Sequence, residues 1–287
     1  MAARLLDGNE IAQQIREQLK KEIEVLNKRG ILPSLTALQV GQDPGSAIYI
    51  RSQKRACEKI GIKYNLYQFK ENVSQEKMES FIKQMNEDKG VNGIILQMPL
   101  PPHIDGRALQ EKIDPIKDVE GVSPFNMGLL LYGKASLAPC TAMAIMQLIK
   151  STGVDLYGKE VTMVGHSDIV GKPTALLLLN KFATTTVCHI ATGERGRLPY
   201  FVQNAEILIV AVGKANLIKG EWIKEGAIVI DVGINRLKGK IVGDVEFEMA
   251  KERASYITPV PGGVGPVTTA MLLKNTVEAA KIQNKIS

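Results

Sequence analysis

The stretch VTMVGHSDIVGKP, residues 161–173, decides the fold. Its apolar start ends at Gly165, and a helix-forming run, PTALLLLN, occupies residues 173–180. A glycine turn between a strand and a helix presents free backbone N–H groups and the positive end of the helix dipole, which suits a pyrophosphate. Five residues separate Gly165 from Gly171, so the spacing differs from GxGxxG. The turn therefore predicts either a nucleotide site or an ordinary tight strand-to-helix turn.

The alternation of strands and helices continues on both sides of this turn. The predicted strands lie at residues 35–40, 62–69, 91–98, 159–165, 184–190, 206–212 and 227–233. The predicted helices include residues 9–29, 47–62 and 141–153, and a last one follows the Pro/Gly loop TPVPGGVGP. Strands separated by helices indicate parallel sheets with helices on both faces. We predict an α/β protein of two α/β domains with a cleft between them.

Composition narrows the class of protein. A length of 287 residues suggests two domains, and 45% hydrophobic with 23% charged residues is ordinary for a globular protein. No apolar run approaches the roughly 20 residues of a membrane helix, so no membrane partner is expected. The cysteines Cys57, Cys140 and Cys188 are widely spaced. We therefore expect neither a disulfide framework nor a zinc site, and a cytoplasmic location fits.

The net charge of +6 comes from basic residues that are scattered among acidic ones. This distribution is typical of a solvated basic surface, and it also suits a groove for a polyanionic small molecule. Nucleic acid is the least favoured partner, because aromatic residues make up only 5% of the chain and no stacking motif is present.

Three polar stretches carry the candidate substrate residues. In AIYIRSQKRACEKIGI, Tyr49 and Gln53 lie one helical turn apart and share a face. In ILQMPLPPHID, Gln97 follows a strand, where open α/β sheets bind ligands. The amide of Gln97 either forms hydrogen bonds with the amide-like edge of a ligand ring or forms them within its own loop. In KDVEGV, Asp118 and Glu120 either face solvent or offer a buried carboxylate to the N–H groups of a ring.

Eight stretches together resemble one known family. They are YIRSQKRACEKIGI, GIILQMPLPPHID, KDVEGVSPFNMG, PCTAMAIMQLI, VGHSDIVGKP, EGAIVIDVGINRL, VGDV and ITPVPGGVGPVTTAMLLKNT. They look like the bifunctional methylenetetrahydrofolate dehydrogenase/methenyltetrahydrofolate cyclohydrolase family over nearly the whole chain. The resemblance implies a folate-binding catalytic domain at residues 1–140, completed by the C-terminal helix at 260–287. It also implies a Rossmann-type NAD(P)-binding domain at 141–259, and a homodimer.

The reaction that this resemblance implies has two steps. A hydride leaves the one-carbon bridge of methylenetetrahydrofolate for a nicotinamide, which gives a methenyl cation, and water then opens that cation to the 10-formyl compound. The cofactor supplies the hydride chemistry, and the protein supplies positioning. Tetrahydrofolate derivatives carry a tail of one or several glutamates, which suits a basic cleft.

The resemblance also assigns roles on the substrate side. Tyr49 matches the tyrosine that stacks on the substrate, and Gln97 matches the glutamine on the loop after the third strand. Pro261 and Gly262 match the loop under the pterin. With Gln53 and Glu120, described next, Tyr49 and Gln97 form the predicted catalytic group.

Two of these positions depart from the family. The family places its catalytic lysine four residues after the tyrosine, where this chain has Gln53. Lys54 is a poor substitute, because one residue turns about 100° around a helix. A glutamine cannot exchange a proton near neutral pH, so we predict a weakened cyclohydrolase step, worth ~10²–10⁴ in rate. Glu120 replaces an aspartate; it keeps the carboxylate but moves it by roughly 1.5 Å.

The cofactor positions depart as well. Gly165 and Ser167 match the phosphate turn of the family, and Ile234 matches a position against the cofactor. NADP-using members generally carry arginine at the position of His166, and a polar residue or arginine at the position of Ile190. Neither residue here offers the fork of donors that a 2′-phosphate prefers. We therefore predict that NAD is used at least as well as NADP.

Several alternatives remain open from the sequence. Arg195 or Arg197 lies nearby in sequence and is the alternative ligand for a 2′-phosphate. Two alternatives to a weakened cyclohydrolase also remain. The chain is either a fully bifunctional enzyme that tolerates Gln53, or a folate- or nucleotide-binding relative without turnover. A shikimate-dehydrogenase-like enzyme is disfavoured, because the stretch PVPGGVGP is not expected in an enzyme of that kind. No metal is expected, since the three histidines lack ligand spacing.

Overall fold

The computed structural model describes residues 2–286 and, at Pro44, the backbone alone. The strands are β1 Arg4–Leu5, β2 Ser34–Val40, β3 Lys63–Phe69, β4 Gly93–Leu96, β5 Glu160–Val164, β6 Thr184–Cys188, β7 Ile207–Val210, β8 Ile228–Asp231, β9 Asn235–Leu237, β10 Lys240–Val242 and β11 Tyr256–Ile257. The helices are α1 Gly8–Lys28, α2 Pro44–Ile60, α3 Gln75–Glu87, α4 Gly106–Lys112, α5 Pro124–Leu131, α6 Cys140–Ser151, α7 Gly171–Leu179, α8 Ile190–Glu194, α9 Leu198–Asn204, α10 Phe247–Arg253 and α11 Val264–Gln283. None of the described helices is long and apolar enough to cross a membrane.

The chain divides into two compact units. The first unit contains Met1–Gln13 and Thr141–Thr268, and the second contains Gln14–Cys140 and Thr269–Ser287. The family resemblance predicts one domain over residues 1–140, whereas the structure places Met1–Gln13 in the first unit. The cause is β1, which pairs in parallel with β11 through Arg4 and Tyr256. A strand of two residues is too short to show a period in the sequence.

The first unit contains a six-stranded parallel sheet in the order β1-β11-β8-β7-β5-β6. The chain leaves β5 for β6 on one side and returns to β7 on the other, so the strand order reverses between β5 and β7. Every residue of β7 and β8 is buried, as expected for central parallel strands. Ligands of such sheets bind beyond the carboxyl ends of the strands at the reversal. That edge follows Val164 and Val210.

The second unit contains a three-stranded parallel sheet in the order β3-β2-β4. All seven residues of β2, the central strand, are buried. Helix α3 packs its buried residues Met78 and Ile82 into the cluster that contains Leu38 and Ile94. The predicted α/β class, with parallel sheets, is confirmed.

The predicted strands are in place, but several are too long. The third predicted strand, at 91–98, corresponds to β4 and spans only Gly93–Leu96, so Gln97 lies in the loop that follows it. The backbone N–H of Gln97 still donates to the carbonyl of Leu38 on β2, at 2.8 Å. This bond fixes where the Gln97 side chain emerges.

Candidate functional site

Helix α2 carries Tyr49 and Gln53. It begins where the Asp43 carboxylate accepts from the backbone N–H of Ser46, at 2.7 Å, and ends at Gly61 in the left-handed conformation. These caps satisfy free backbone groups at the helix ends. Tyr49 is 57% exposed, whereas Gln53 is half-buried. An exposed aromatic face therefore lies one turn from a partly enclosed amide.

The amide of Gln53 is held by two donors. Its Oε1 accepts from Nε2 of Gln97 at 2.9 Å and from the hydroxyl of Tyr64 at 3.3 Å. Gln97 is buried, although it lies in a loop. The structure thus brings together two predicted site residues that are 44 positions apart in the sequence. Because both neighbours donate to the oxygen of Gln53, its NH₂ group is left to donate elsewhere.

Tyr64, on β3, is the residue of this group that the sequence analysis missed. Burial, followed by the nearby Cys57 thiol, raises the pKa of the Tyr64 hydroxyl well above its ordinary value. The phenol therefore stays protonated and donates at physiological pH. No motif marked it, because it stands in an ordinary strand pattern.

The two acidic residues after β4, Asp118 and Glu120, differ in burial and in hydrogen bonding. Asp118 is buried, and its carboxylate accepts from the backbone N–H groups of Gly121 and Ser123 and from Nδ2 of Asn126, at 2.7–3.0 Å. It therefore organises the turn. Glu120 is half-buried; burial first, and the charge of Asp118 second, raise its pKa to about 8. The possibility that both acids face solvent is wrong, since neither is exposed.

The acidic turn is supported from α11. Nδ2 of Asn275 donates to the carbonyl oxygens of Val119 at 2.8 Å and Ala138 at 3.0 Å. Gly121 has φ +70, and a Cβ there would lie 2.3 Å from the backbone of Ala138. Asn275 lies in the stretch ITPVPGGVGPVTTAMLLKNT, where no pattern in the sequence indicates its role. It locks the backbone that presents Glu120.

The turn after β5 in the first unit is tightly built. Gly165 has φ +122, and a Cβ there would lie 2.3 Å from the carbonyl oxygen of Ala211. A Cβ at Gly171 would lie 2.3 Å from the carbonyl oxygen of Gly165. Ser167 Oγ accepts from the N–H of Gly171 at 3.4 Å, and α7 begins at that residue. Both glycines are required by the chain itself, and the helix start faces the carboxyl edge of the sheet.

The cations beside this turn are Lys172, which forms an ion pair with Asp168, and the exposed Arg195 and Arg197. The rings of His166 and His189 lie 5.3 Å apart, at the paired ends of β5 and β6. Ile190 follows, and its side chain is 77% exposed. The guanidinium of Arg197 lies over the ring of Tyr200, at 4.7 Å from its centroid. Arg197 is therefore engaged by an aromatic ring.

Two buried aspartates order the loops that follow β7 and β8. The carboxylate of Asp244 accepts from the backbone N–H groups of Val212, Gly213 and Lys214 at 2.7–2.9 Å. That of Asp231 accepts from the N–H groups of Gly233, Asp244 and Val245 at 2.9–3.0 Å. Burial raises the pKa of Asp231 to about 6. This network was missed, because isolated aspartates after apolar runs carry no distinctive spacing.

The hydrogen bonds of Asp231 and Asp244 account for the glycine at position 233 and fix the backbone that carries Ile234. A Cβ at Gly233 would lie 2.2 Å from the carboxylate carbon of Asp244, so Gly233 leaves room for that carboxylate. Ile234 follows and is 58% exposed. Asn235 Nδ2 donates to Asp244 at 2.9 Å. Ile234 is thus presented from a fixed backbone.

Pro261 and Gly262 lie in the first unit, in the loop after β11. The carbonyl of Gly262 accepts from the N–H of Gly8 at 2.8 Å, and Gly262 has φ +103. Thr258 Oγ1 accepts from the N–H of Asp231 at 2.8 Å, which ties the start of the loop to β8. The loop is anchored at both ends.

Among residues 2–286, no three His, Cys, Asp or Glu side chains form a group that could hold a metal ion. His103 forms a hydrogen bond with the carbonyl of Val73, at 3.0 Å. The three cysteines are free and buried.

Comparison with known proteins gives consistent matches to both parts of the chain. Residues 6–120 match the family model described as Tetrahydrofolate dehydrogenase/cyclohydrolase, catalytic domain. Residues 139–284 match the NAD(P)-binding domain of the same name.

Full-length relatives agree with these matches. "Bifunctional protein FolD" from Bacillus subtilis is 50% identical over 98% of this chain and 99% of its own length. The crystal structure of the bifunctional enzyme FolD from Campylobacter jejuni is 46% identical, with a TM-score of 0.95, covering 99% of this chain and 100% of that one. The FolD structure from Trypanosoma brucei, complexed with NADP cofactor and inhibitor, is 40% identical, with a TM-score of 0.94 and 99% of both chains covered.

Proposed function

Because the chain belongs to the tetrahydrofolate dehydrogenase/cyclohydrolase family, we propose that it oxidises 5,10-methylenetetrahydrofolate to the 5,10-methenyl compound with a nicotinamide dinucleotide. The observation that carries the proposal is the Gln53–Gln97 hydrogen bond, which joins two predicted substrate residues beside the exposed ring of Tyr49. The reaction serves one-carbon folate metabolism, which includes purine biosynthesis, and a cytoplasmic homodimer is part of the proposal.

The residues of the first unit fit a dinucleotide. The Gly165 turn and the start of α7 lie at the carboxyl edge of the sheet, where backbone N–H groups suit a pyrophosphate. The nicotinamide of a dinucleotide held there would supply the hydride acceptor. In our proposal Ser167 holds the phosphates, while Ile234 provides an apolar surface for the ring. The loop with Pro261 and Gly262 supports the pterin.

The substrate is held by the second unit in this proposal. Tyr49 stacks on the aromatic part of the folate, and Gln97 fixes the orientation of Gln53. Glu120 accepts hydrogen bonds from the N–H groups of the pterin when it is ionised. Hydride transfer requires chiefly alignment of the two reacting carbons, so these contacts are sufficient for the dehydrogenase step.

The cyclohydrolase step is weakened in our proposal. That step needs a group that takes a proton from water and returns one, and an amide does neither near neutral pH. The oxygen of Gln53 is, moreover, already occupied by Gln97 and Tyr64. The Bacillus subtilis relative is named bifunctional, and the name of the Campylobacter jejuni protein includes both activities, so a fully bifunctional enzyme is the alternative outcome.

The nucleotide preferred is NAD, in our proposal. Ile190 is exposed and uncharged, and Arg197 lies over the ring of Tyr200, so in this proposal neither supplies the donor fork of a 2′-phosphate site. Arg195 is exposed and stays the alternative ligand for that phosphate. The substitution Ile190→Arg tests this: it should lower KM for NADP⁺ while leaving KM for NAD⁺ within twofold. A wild-type kcat/KM that favours NADP⁺ by tenfold or more contradicts the preference.

One mixing experiment tests the function as a whole. Purified protein is added to methylenetetrahydrofolate with NAD⁺, then with NADP⁺, and reduced cofactor and methenyl product are followed together. Reduced cofactor with persistent methenyl product is the expected result. Methenyl consumed faster than in the protein-free blank indicates the bifunctional alternative. If no reduced cofactor forms with either nucleotide, the chain is a binding protein and the proposal is wrong.

A further inference from the structure

Two histidines lie side by side at the carboxyl edge of the six-stranded sheet. His166 follows the Gly165 turn after β5, and His189 follows Cys188, the last residue of β6. Their ring centroids are 5.3 Å apart, and the rings are tilted by 40°. Val164 and Cys188 are partners in the parallel ladder, and the N–H of Gly165 donates to the carbonyl of Cys188 at 2.9 Å. The backbone therefore fixes the two imidazoles as neighbours.

The end of β6 is where a dinucleotide-binding sheet contacts the adenosine ribose. A pyrophosphate at the glycine turn directs the adenosine half towards the next strand, and a residue about 20 positions after the turn contacts the ribose. In the first unit that strand is β6, and His189 and Ile190 stand at its end. An acidic residue there binds the 2′-hydroxyl of NAD, and an arginine binds the 2′-phosphate of NADP. His189 and Ile190 are neither.

Both imidazoles are accessible to a ligand. The side chains of His166 and His189 are exposed. The backbone N–H of His189 donates to the hydroxyl of Thr192 at 3.2 Å, which orders the start of α8. A phosphate at this edge can therefore meet both rings without a change in the backbone that carries them.

The charge of this edge changes mainly at the two imidazoles. Lys172 forms an ion pair with Asp168, and Arg197 lies over the ring of Tyr200. Burial raises the pKa of the Cys188 thiol to about 11, so the thiol is neutral at physiological pH. The remaining charged groups on β5, β6, α7, α8 and their connections are Glu194 and Arg195 at this edge, and Glu160 and Lys181 at the opposite ends of the strands. Histidine is the side chain whose ordinary titration falls between pH 5 and 8.

A 2′-phosphate at this edge is coupled to the protonation of the rings. A phosphate monoester carries nearly two negative charges above pH 6. Two protonated imidazoles 5.3 Å apart repel each other, whereas a phosphate dianion beside them attracts both. Binding of the phosphate therefore favours proton uptake by the rings, and protonation of the rings favours binding of the phosphate by the same factor. The uncharged 2′-hydroxyl of NAD has no such coupling.

We propose that His166 and His189 form a proton-dependent site for the 2′-phosphate of NADP, so that the use of NADP relative to NAD rises as the pH falls. The proposal rests on the proposed function for the use of a dinucleotide. It adds His189 as a specificity-determining residue and makes the choice of cofactor depend on pH. When the rings are neutral, NAD is favoured; when they are protonated, they supply the cations that Ile190 does not.

The test measures the ratio of kcat/KM for NADP⁺ to kcat/KM for NAD⁺, from about pH 8.5 to about pH 6.5. Taking the ratio at each pH cancels the titration of Glu120 and of the folate, because both dinucleotides share them. The range ends there because the phosphate itself gains a proton near pH 6. An exposed ion pair contributes about 1.5- to 5-fold, so two protonated imidazoles should raise the ratio about 2- to 25-fold.

Two variants separate the pair from other titrating groups. The double variant His166→Asn/His189→Asn removes both rings, and its ratio should change less than twofold over the same range. The matched control is His103→Asn, which removes the third histidine of the chain, in the second unit, and should keep the pH dependence.

Three results would overturn the site. One is a wild-type ratio that does not rise as the pH falls, and another is a rise that persists in the double variant. The third is a constant preference for NADP⁺ at every pH, which would assign the 2′-phosphate to a guanidinium such as that of Arg195.

A binding measurement separates this proposal from the proposed function. NADP⁺ and NAD⁺ are titrated into the wild type and the double variant by calorimetry, in two buffers of different ionisation enthalpy, which gives the number of protons taken up. NADP⁺ should bind with a larger proton uptake than NAD⁺, and the double variant should show no difference. Equal uptake for the two dinucleotides contradicts the site. If the protein oxidises no folate but shows the difference, only the proposed activity fails; if it binds neither dinucleotide, both proposals fail.

Discussion

Replacing Gln53 with lysine tests whether a missing cation limits the cyclohydrolase step. The position is half-buried, with Gln97 at 2.9 Å and Tyr64 at 3.3 Å from the Gln53 oxygen. Both neighbours donate to Gln53, but each also has an acceptor: Gln97 by turning its amide, and Tyr64 through the lone pairs of its hydroxyl. A lysine ammonium would therefore find two hydrogen-bond acceptors in place of two donors.

The expected gain follows from the chemistry of the step. A positioned acid–base group contributes ~10²–10⁴ in rate, so Gln53→Lys should hydrolyse methenyltetrahydrofolate at least ~10²-fold faster than the wild type. The dehydrogenase kcat should stay within about tenfold, because the substrate contacts that we propose for Tyr49 and Glu120 are retained.

The assay follows the disappearance of methenyltetrahydrofolate, corrected for the protein-free rate, with reduced-cofactor formation measured on the same preparation. Gln53→Met is the matched control, since it has similar length without a proton to exchange, and it should show no gain. A Gln53→Lys protein that oxidises the substrate normally but hydrolyses methenyl no faster than the wild type would refute the reasoning. The limiting group would then lie elsewhere.

Three further predictions concern the ordered turns. Burial raises the pKa of Glu120 to about 8, and in our proposal only the ionised carboxylate accepts the pterin's hydrogen bonds. The dehydrogenase kcat/KM should therefore rise as the pH increases through 8. The variant Glu120→Gln should flatten that pH profile. The same raised pKa means that the folded state binds this proton more tightly than the unfolded state, so the free energy of unfolding should fall as the pH rises from 4.5 to 8. Denaturant titrations of Glu120→Gln should show no such dependence of the free energy of unfolding on pH. Asn275→Ala removes the amide donor of the Val119 and Ala138 carbonyl oxygens, and Val119 keeps the Cys140 thiol as a donor at 3.3 Å, so the variant should cost ~1–3 kcal/mol in urea unfolding; an unchanged midpoint contradicts this role.

The sequence predicted the strands and the principal helices because apolar periodicity survives in long elements. Strand β2 and helix α1 are long enough to show it, and their predicted bounds are within one residue of the structure. The two-residue strand β1 shows none, and its pairing with β11 depends on residues more than 250 positions away. That pairing moves the N-terminal segment to the other unit, which no local pattern indicates.

The site residues were predictable only where a motif named them. Gln53 was noticeable because a cation was expected there, whereas Tyr64 and Asp244 form their contacts across 11 and 30–32 residues, respectively, within unremarkable stretches. The different states of Asp118 and Glu120 depend on burial and on three hydrogen bonds, which adjacency in sequence does not specify.

The carboxylate of Asp244 also bears on how cofactor preference can change. It holds the loop after β7 by three backbone hydrogen bonds, from within the protein, so a ligand at this edge meets a backbone that is already ordered. Binding then loses little conformational freedom in that loop. Ile190, by contrast, projects into solvent from outside this network. In our proposal the protein thereby separates the backbone frame that binds a dinucleotide from Ile190, the side chain that distinguishes NAD from NADP, so that this side chain can vary through evolution without loosening the frame.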